Sequence, residues 1–262
     1  METRGSHHVQ SLERGLAVIR AFNAGAPEPT LSEVARATGL TRAAARRFLL
    51  TLVDLGYVRT DGKHFSLTAR VLELGYAFLS SMTLPEVAQP HLERLSAEVH
   101  ESSSVSVLEG TDIVYVARVA VSRIMTVSIN VGTRFPAHAT SMGHVLLAGL
   151  DPDALAAYFE HARLDRLTSH TLTSPASLRA ELAKVREQGW ALVDQELEEG
   201  LRSVAAPVRD RQGIVVAAVN VSTHASRNTL ESVREDMVPP LFAAAKRIEA
   251  DLAVGPAQAR RG

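Results

Sequence analysis

Apolar and polar positions in the first quarter of the chain recur with the period of helices and then change to an extended pattern. Thr30 and Glu33 have the spacing of a capping box, which predicts a helix that begins directly after Thr30. Gly39 permits the positive φ that ends a helix, and Thr41 supplies a hydroxyl that can cap the next one. The pattern therefore predicts two helices joined by a turn of roughly three or four residues, as in helix-turn-helix units.

The second of these helices is predicted over 42–55. Its apolar residues recur on one side of the helix, and that side consists of Ala45, Phe48, Leu49 and Leu52. Beyond the helix, Asp61-Gly62 separates two extended segments, 57–60 and 63–67, and an Asp-Gly pair in this position is a strong hairpin signal. Two helices followed by a hairpin predict a winged helix-turn-helix, and hence DNA binding.

The free side of the second helix and the wing have side chains that suit double-stranded DNA. Arginine and lysine bind phosphates or guanine acceptors, and a small residue lets the helix approach base edges. Taken alone, an arginine-bearing helix is more often an ordinary solvated surface helix, but the hairpin that follows favours DNA binding. The predicted contacts are Thr41, Arg42, Ala43, Arg46, Arg47 and Lys63.

The remaining segments predict further helices and strands. Helices are predicted over 14–22, 68–81, 85–100, 140–150, 175–189 and 229–252, with another that starts at Pro152. Strands are predicted near 103–109, 113–119, 125–131, 190–194, 204–209 and 214–222. We therefore predict an α+β fold with a winged helix-turn-helix domain (1–67), a linker helix (68–82) and a sensory domain (83–262) in which helices flank a mostly antiparallel sheet.

Composition limits the classes of protein that this chain can belong to. Its 262 residues are enough for two domains with their own cores. No apolar run approaches the roughly 20 residues that span a bilayer, and no signal-peptide core follows the N-terminus, so we expect a cytoplasmic protein without a membrane partner. The absence of cysteine excludes disulfides, thiolate metal sites and cysteine nucleophiles.

Charge divides unevenly between the predicted domains. Residues 1–80 contain ten Lys and Arg against seven Asp and Glu, a net charge of +3, whereas residues 81–262 contain eighteen against twenty-two, a net charge of −4. A positive small domain on a negative remainder is consistent with a separate module that contacts DNA.

The N-terminal part resembles the DNA-binding domain of the IclR family of bacterial transcriptional regulators. The resemblance lies in Ser11-Leu12-Glu13-Arg14-Gly15-Leu16, Leu31-Ser32-Glu33-Val34-Ala35, Gly39-Leu40-Thr41-Arg42, Arg47-Phe48-Leu49 and Leu55-Gly56-Tyr57-Val58. This likeness implies binding to promoter DNA by dimers or tetramers, and RNA polymerase is a further partner if the protein is an activator. The sequence leaves activator and repressor equally open.

The C-terminal part resembles the effector domain of the same family, a relative of GAF-like ligand sensors. Its most specific segments are 132–148 and 199–208. They look most like the subgroup that regulates breakdown of protocatechuate, 4-hydroxybenzoate and catechol through β-ketoadipate, which implies a small organic acid as effector. His144 stands where this subgroup leads us to expect an arginine.

A carboxylate-binding site is predicted around residue 141. Backbone amides of Ser141, Met142 and Gly143 would lie at a helix N-terminus, which attracts anions, and Arg134 is a candidate for a second carboxylate. The family resemblance adds Asp194, Glu196, Ser203, Asn220 and Ser222 as the other wall of the pocket.

Each of these residues also has a purely structural interpretation. In that interpretation Ser141 caps a helix, Arg134 pairs with a surface acid, and Asn220 and Ser222 complete the hydrogen bonding of a strand. An acid beside an anionic effector is expected only if it orients an arginine or accepts a hydrogen bond from a ligand hydroxyl.

Two other functions compete with the regulator. A hydrolase would use His138, Ser141 and Asp194 as a triad, and a GAF-like sensor would bind haem or a metal through the histidines. The sequence has no G-x-S-x-G elbow, phosphate-binding loop, dinucleotide fingerprint or H-E-x-x-H helix. We therefore predict a protein that is not an enzyme and has no cofactor.

Overall fold

The computed structural model describes residues 8–23, 25–74, 83–121 and 129–254. The chain divides into two compact units, residues 1–81 and 82–262. No helix within the described ranges is both long and apolar enough to cross a bilayer.

The N-terminal unit is a winged helix-turn-helix, as predicted. Its elements are α1 (Gln10–Arg20), α2 (Leu31–Thr38), α3 (Arg42–Asp54) and the antiparallel strands β1 (Val58–Thr60) and β2 (Phe65–Leu67). The Thr30–Glu33 capping box is present in both directions, and Gly39 ends α2 with φ of 66°. Helix α1 begins four residues earlier than the predicted start at Arg14, and it does so without a side-chain cap.

A small apolar core joins the helices of this unit to the wing. Its buried side chains come from every element and are Val18, Val34, Ala35, Ala45, Leu49, Leu52, Val58 and Phe65. The apolar side of α3 therefore faces inwards, which leaves its other side free.

The wing has a longer connection than the sequence predicts. Thr60 is paired with Phe65, so residues 61–64 form the loop, whereas Asp61-Gly62 alone was expected. The Asp61 carboxylate accepts hydrogen bonds from the backbone N–H groups of Lys63, at 2.8 Å, and of His64, at 2.7 Å. These side-chain bonds replace strand pairing and close the four-residue loop.

The predicted linker helix over 68–81 is described only at its start. Ala69–Val71 is a 3-10 turn capped by Thr68, and residues 72–74 are helical. Residues 75–82 lie outside the described ranges.

The C-terminal unit has a six-stranded antiparallel sheet in the order β5-β4-β3-β8-β7-β6. The strands are β3 (Ser102–Glu109), β4 (Asp112–Val119), β5 (Arg134–Pro136), β6 (Ala191–Asp194), β7 (Leu201–Arg209) and β8 (Val215–His224). The helices are α4 (Thr83–Val99), α5 (Ser141–Ala148), α6 (Pro152–His161), α7 (Pro175–Gln188) and α8 (Val238–Val254). The mostly antiparallel α+β prediction is confirmed.

Each face of the sheet has its own apolar core. Helices α4 and α8 pack on one face, where Leu92, Val105 and Leu241 are fully buried. Helices α5, α6 and α7 cover the other face, where Leu147 and Leu178 are fully buried. Alternate residues of one strand therefore belong to different cores.

Two predictions for this unit need revision. The predicted strand 125–131 falls mostly on residues 122–128, which lie outside the described ranges, and residues 129–131 are not a strand. The observed third strand is Arg134–Pro136, in a segment predicted to be a loop; it is short and pairs with β4 alone, and proline is tolerated on such an edge. The predicted helix 229–252 is interrupted by a π-helical segment, Val233–Met237.

Candidate functional site

The recognition helix α3 presents a continuous exposed surface beside the turn. Thr41, Arg42, Ala43, Arg46 and Arg47 are all exposed. The Thr41 hydroxyl accepts the backbone N–H of Ala44 at 3.2 Å, so it caps α3 and can still donate its own hydrogen. This placement agrees with the predicted DNA-contacting side.

The basic groups of this surface are available for an anionic partner. Lys63 is exposed on the wing. Within the described ranges, no acid lies within ion-pair distance of Arg42, Arg46, Arg47 or Lys63. Arg59, also on the wing, lies 4.0 Å from Glu28. Unpaired cations on an exposed helix are suited to phosphate binding because no internal bond must first be broken.

The second candidate site lies on the face of the sheet that α5 covers. Ser104 is paired with Asn220, and Ser102 is paired with Ser222, which is also paired with Ser203 of β7. Residues directly opposite each other on neighbouring strands project to the same face. A group of polar side chains therefore forms the floor of this region, although all of them are buried.

Helix α5 begins above this floor, and its first two backbone amides have no hydrogen-bond acceptor among the described residues. The Thr140 hydroxyl accepts the N–H of Gly143 at 3.0 Å, so this amide is occupied by the cap, contrary to the prediction that it binds the effector. The amides of Ser141 and Met142 precede the first intrahelical bonds and have the orientation that favours an anion.

A close backbone approach fixes the start of this helix. A Cβ atom at Gly143 would lie 2.0 Å from the carbonyl oxygen of Ala137, a distance that no side chain tolerates. Packing therefore requires glycine at this position, because any side chain would overlap the backbone of Ala137.

Between the floor and α5 lies a narrow cavity of about 10 Å³, room for roughly one water molecule. Its lining combines residues of the sheet, of α5 and of the loops around them: Tyr115, Ile129, Ala139, Thr140, Ser141, Met142, Val193, Leu197, Leu201, Ser203, Asn220 and Ser222. Five predicted effector-binding residues are thus brought together here: Ser141, Met142, Ser203, Asn220 and Ser222.

Two polar atoms of the lining are buried without a hydrogen-bond partner. They are Oγ of Ser141 and Oδ1 of Asn220, while Nδ2 of Asn220 donates to the Ser222 hydroxyl at 3.0 Å. Leaving such an atom unpaired costs about 1–3 kcal/mol, which a ligand with matching polar groups would recover.

Arg134 does not line this cavity, contrary to the prediction. Its guanidinium donates to Glu109 at 2.8 Å and to Asp112 at 3.2 Å on the exposed edge of the sheet. The interpretation as a surface ion pair, left open by the sequence, therefore describes Arg134. The extended backbone of β5 points this side chain away from α5.

Asp194 and Glu196 also lie outside the lining. Asp194 accepts two hydrogen bonds from the buried Arg202, both at 2.8 Å, so the carboxylate orients an arginine. Glu196 is buried beside the loop that precedes α7, and its carboxylate lies 3.5 Å from the backbone N–H of Leu172.

The three residues of the alternative hydrolase have separate partners. Nε2 of His138 lies 3.1 Å from the backbone oxygen of Asp165, and Asp194 is bound to Arg202. Oγ of Ser141 has no partner within the described ranges. No described contact joins the three residues as a triad would require.

Histidines near α5 serve packing. His144 is fully buried, and its Nε2 lies 2.7 Å from the backbone oxygen of His138. Burial lowers the pKa of His144, so the ring is neutral. Among the residues that the structure describes, no group of three His, Asp or Glu is arranged to hold a metal ion.

Burial raises the pKa of Glu196 from 4.5 to about 7. Below pH ~4.5 the carboxyl is neutral in the folded and the unfolded chain, so it has no effect on stability. Between these two pKa values the unfolded chain ionises first, so the free energy of unfolding falls as the pH rises through this window and levels off above it.

We expect Glu196→Gln to abolish this loss of stability. Relative to the variant, the native protein should lose on the order of 2–3 kcal/mol in unfolding free energy between pH ~5 and ~8. Urea unfolding at both pH values measures this difference. Glu199→Gln, which changes an exposed neighbour, is the matched control; equal pH profiles for all three proteins would contradict the assignment.

Sequence reasoning missed part of the polar floor. Ser104, Ser106 and Tyr115 face α5 from the centre of the sheet, and the Ser106 hydroxyl lies 3.2 Å from the sulfur of Met142. The available signal was the alternation of serines with Val105 in a strand predicted to be central, since buried strands seldom repeat a hydroxyl.

Comparison with known proteins places both units in one family. The model described as the IclR helix-turn-helix domain matches residues 11–62, and that of the bacterial transcriptional regulator IclR C-terminal region matches residues 76–250. The Pca regulon regulatory protein of Pseudomonas putida is 48% identical over 237 residues, which cover 90% of this chain and 81% of the relative.

Solved structures agree over nearly the whole chain. A transcriptional regulator from Rhodococcus sp. RHA1 is 62% identical with a TM-score of 0.85, covering 94% of this chain and 99% of its own. An IclR homolog from Microbacterium hydrocarbonoxydans, solved in complex with 4-hydroxybenzoate, is 28% identical with a TM-score of 0.82, covering 94% of this chain and 100% of its own. The present chain therefore belongs to the IclR family of bacterial DNA-binding transcriptional regulators.

Proposed function

We propose that this regulator senses a small organic acid of aromatic catabolism and changes its promoter binding or activity in response. The observation that carries the proposal is the narrow cavity under α5, where Oγ of Ser141 and Oδ1 of Asn220 have no hydrogen-bond partner among the described residues and the amides of Ser141 and Met142 begin the helix. The similarity to a Pca regulon regulator and to a homolog that binds 4-hydroxybenzoate directs the choice of acids to β-ketoadipate, protocatechuate and 4-hydroxybenzoate.

The proposed effector contacts follow from this cavity. The amides of Ser141 and Met142 bind a carboxylate at the start of α5. Hydroxyl and amide groups of Ser203, Asn220 and Ser222 bind the rest of the acid from the sheet. The acid regulates because it binds two arrangements of the protein unequally, and it leaves the cavity chemically unchanged.

The proposed DNA contacts are those of α3 and the wing. Thr41, Arg42, Arg46 and Arg47 meet phosphates or base edges, Ala43 allows close approach to the groove, and Lys63 contacts the backbone from the wing. One winged unit covers too few base pairs for a long operator. We therefore propose that dimers or tetramers bind repeated or palindromic sites in the cytoplasm, and that RNA polymerase is a partner where transcription is activated.

The proposal is tested by a DNA shift assay on the promoter flanking the gene for this protein. The assay is run with and without each of the three acids, and recovered acid is analysed for chemical change. We expect a shift whose affinity or mobility changes with at least one acid, which is recovered intact. Absence of any shift together with turnover of an acid would overturn the regulator in favour of an enzyme.

Arg47→Ala should weaken binding to all duplexes by on the order of tenfold near physiological salt, because a phosphate contact carries no sequence information. The slope of log K against log salt should become shallower by about one unit. Fluorescence anisotropy across a salt series measures both quantities. The control is Arg166→Ala, which removes an exposed arginine of the C-terminal unit; an unchanged slope for Arg47→Ala would remove this residue from the footprint.

A further inference from the structure

We infer that Arg118 binds a second carboxylate of the effector on the β4 side of the cavity, and so makes the site selective for acids with two carboxylates. The inference rests on the proposed function and identifies the cationic contact that Arg134 does not supply. Strand register, the buried and unpaired Nε of Arg118 and the position of Tyr115 support this assignment.

Strand register places Arg118 on the polar floor. Ser104 is paired with Arg118 on one side and with Asn220 on the other, so the three residues form one row across β4, β3 and β8. Neighbouring strands lie ~4.8 Å apart, which puts the backbone of Arg118 about 10 Å from that of Asn220. Their side chains share the face that α5 covers.

A β-bulge gives Arg118 this orientation. The pairing shifts between Val105 and Ser106, because Val105 is paired with Ala117 whereas Ser106 is paired with Tyr115. Val116 is the additional residue in β4, and it reverses the alternation of the strand. Tyr115 and Arg118 therefore project to the same face, although strict alternation would place them on opposite faces.

The guanidinium of Arg118 lacks the partners that a half-buried cation requires. One nitrogen, Nη1, donates to the Ser104 hydroxyl at 3.1 Å, and Nε is buried without a partner. Within the described ranges, no carboxylate pairs with it. Burial lowers the pKa of Arg118, which reflects this uncompensated environment.

Three other arginines of the same unit are paired with acids, whereas Arg247 of α8, a helix on the opposite face of the sheet, also has buried nitrogens without a partner among the described residues. Buried Arg202 is paired with Asp194, Arg227 with Glu101, and even the exposed Arg134 has two acids. A desolvated charge without a partner destabilises a fold, and it is retained where a ligand supplies the opposite charge. Arg118 therefore differs from these three arginines because no described acid neutralises it, and this leaves its charge available for an anionic ligand.

Arg118 is not itself among the residues that line the cavity, but Tyr115, on the same face of β4, is part of the lining. Burial raises the pKa of Tyr115 to about 12, and the positive charge of Arg118 opposes this rise. Because Tyr115 and Arg118 project to the same face of β4, the guanidinium lies on the side of the strand that borders the cavity. An acid held at one end by the α5 amides presents its other end to the β4 side, where a bidentate arginine contact stabilises a carboxylate.

The test compares acids that differ in one carboxylate. Isothermal titration calorimetry on the full chain uses β-ketoadipate, adipate and hexanoate, with Arg118→Gln, Arg118→Lys and the control Arg134→Gln. We expect Arg118→Gln to raise the Kd of the diacid that binds by about 10- to 100-fold, since a hydrogen-bonded charge is lost. The Kd of hexanoate should change by less than about threefold, Arg118→Lys should keep part of the diacid affinity, and Arg134→Gln should match the native protein.

Two results would overturn the assignment of Arg118 alone: diacid binding that is unchanged in Arg118→Gln, or an equal loss for diacid and monoacid. A native protein that binds DNA but none of these acids, nor protocatechuate or 4-hydroxybenzoate, would overturn the proposed effector function together with this inference. The two failures are therefore distinguishable.

Thermal unfolding of the ligand-free protein distinguishes an effector-binding role of Arg118 from a structural role. If Arg118 serves the effector, Arg118→Gln removes a half-buried charge that has no carboxylate partner among the described residues, and the Tm of the free protein stays the same or rises. A lower Tm in Arg118→Gln that Arg118→Lys restores, without selective loss of diacid binding, would assign Arg118 a structural role through Ser104.

Discussion

Gly143→Ala should destabilise the C-terminal unit by about 3 kcal/mol or more and abolish the response to the effector. The new Cβ would lie 2.0 Å from the carbonyl oxygen of Ala137 and 2.5 Å from its Cα. Both atoms belong to the backbone, so no side-chain rotation relieves the overlap. Helix α5 must move away from residue 137, and the amides of Ser141 and Met142 move with it.

This effect is measured by thermal unfolding of the C-terminal unit and by calorimetric titration of the acid that the native protein binds. Gly15→Ala is the matched control. Gly15 lies within helix α1, and a Cβ atom there would lie 3.9 Å from the nearest neighbouring atom, which belongs to the side chain of Phe48. Alanine is favoured over glycine inside helices by about 1 kcal/mol, so this control should be neutral or stabilising. If Gly143→Ala keeps the stability and acid binding of the native protein, the close approach of residue 143 to the backbone of Ala137 would be refuted.

Leu49→Ala should unfold the N-terminal unit and abolish DNA binding while the C-terminal unit still binds its acid. Leu49 is fully buried at the centre of a core with only eight buried apolar residues. Removing a buried leucine side chain costs about 3 kcal/mol, because apolar burial is lost and a cavity remains. A small unit with a small core has little stability in reserve, so this loss is a large fraction of its total.

Anisotropy with promoter DNA and calorimetry with the acid measure the two activities of Leu49→Ala separately. Leu55→Ala is the control. Leu55 is the residue directly after the end of helix α3, and it is 52% exposed. This substitution should change stability by no more than about 0.5 kcal/mol and leave DNA affinity near the native value. Native-like DNA binding by Leu49→Ala would show that the core of the N-terminal unit tolerates the cavity.

Local signals were sufficient wherever a structural feature depends on residues close together in sequence. The Thr30–Glu33 capping box and the Thr140 cap of α5 were predictable because the cap and the amides that it binds lie within three residues. The wing was predictable from Asp61-Gly62, but its loop is longer because the Asp61 side chain competes with strand pairing for the N–H groups of Lys63 and His64.

Features that depend on distant pairing were not predictable in the same way. Arg134 was expected to bind a second carboxylate of the effector because its guanidinium can make a bidentate contact. Its strand pairs with β4, which brings it within reach of Glu109 and Asp112 on the edge of the sheet. The acids that neutralise it lie more than twenty residues earlier, so only the folded sheet reveals the pairing.

The sequence by itself determined the winged helix-turn-helix, the antiparallel α+β unit and the capped start of α5, since hydrophobic periodicity, caps and turns act over a few residues. The other wall of the cavity was predicted only through the family resemblance, and Ser104, Ser106 and Tyr115 were missed. The tertiary structure decided which of the predicted residues share the cavity. A single bulge residue, Val116, reverses the alternation of β4 and turns Arg118 towards Ser104, while the pairing of Arg202 removes Asp194 from the lining. These outcomes depend on register between strands, and register is set by the packing of the whole sheet.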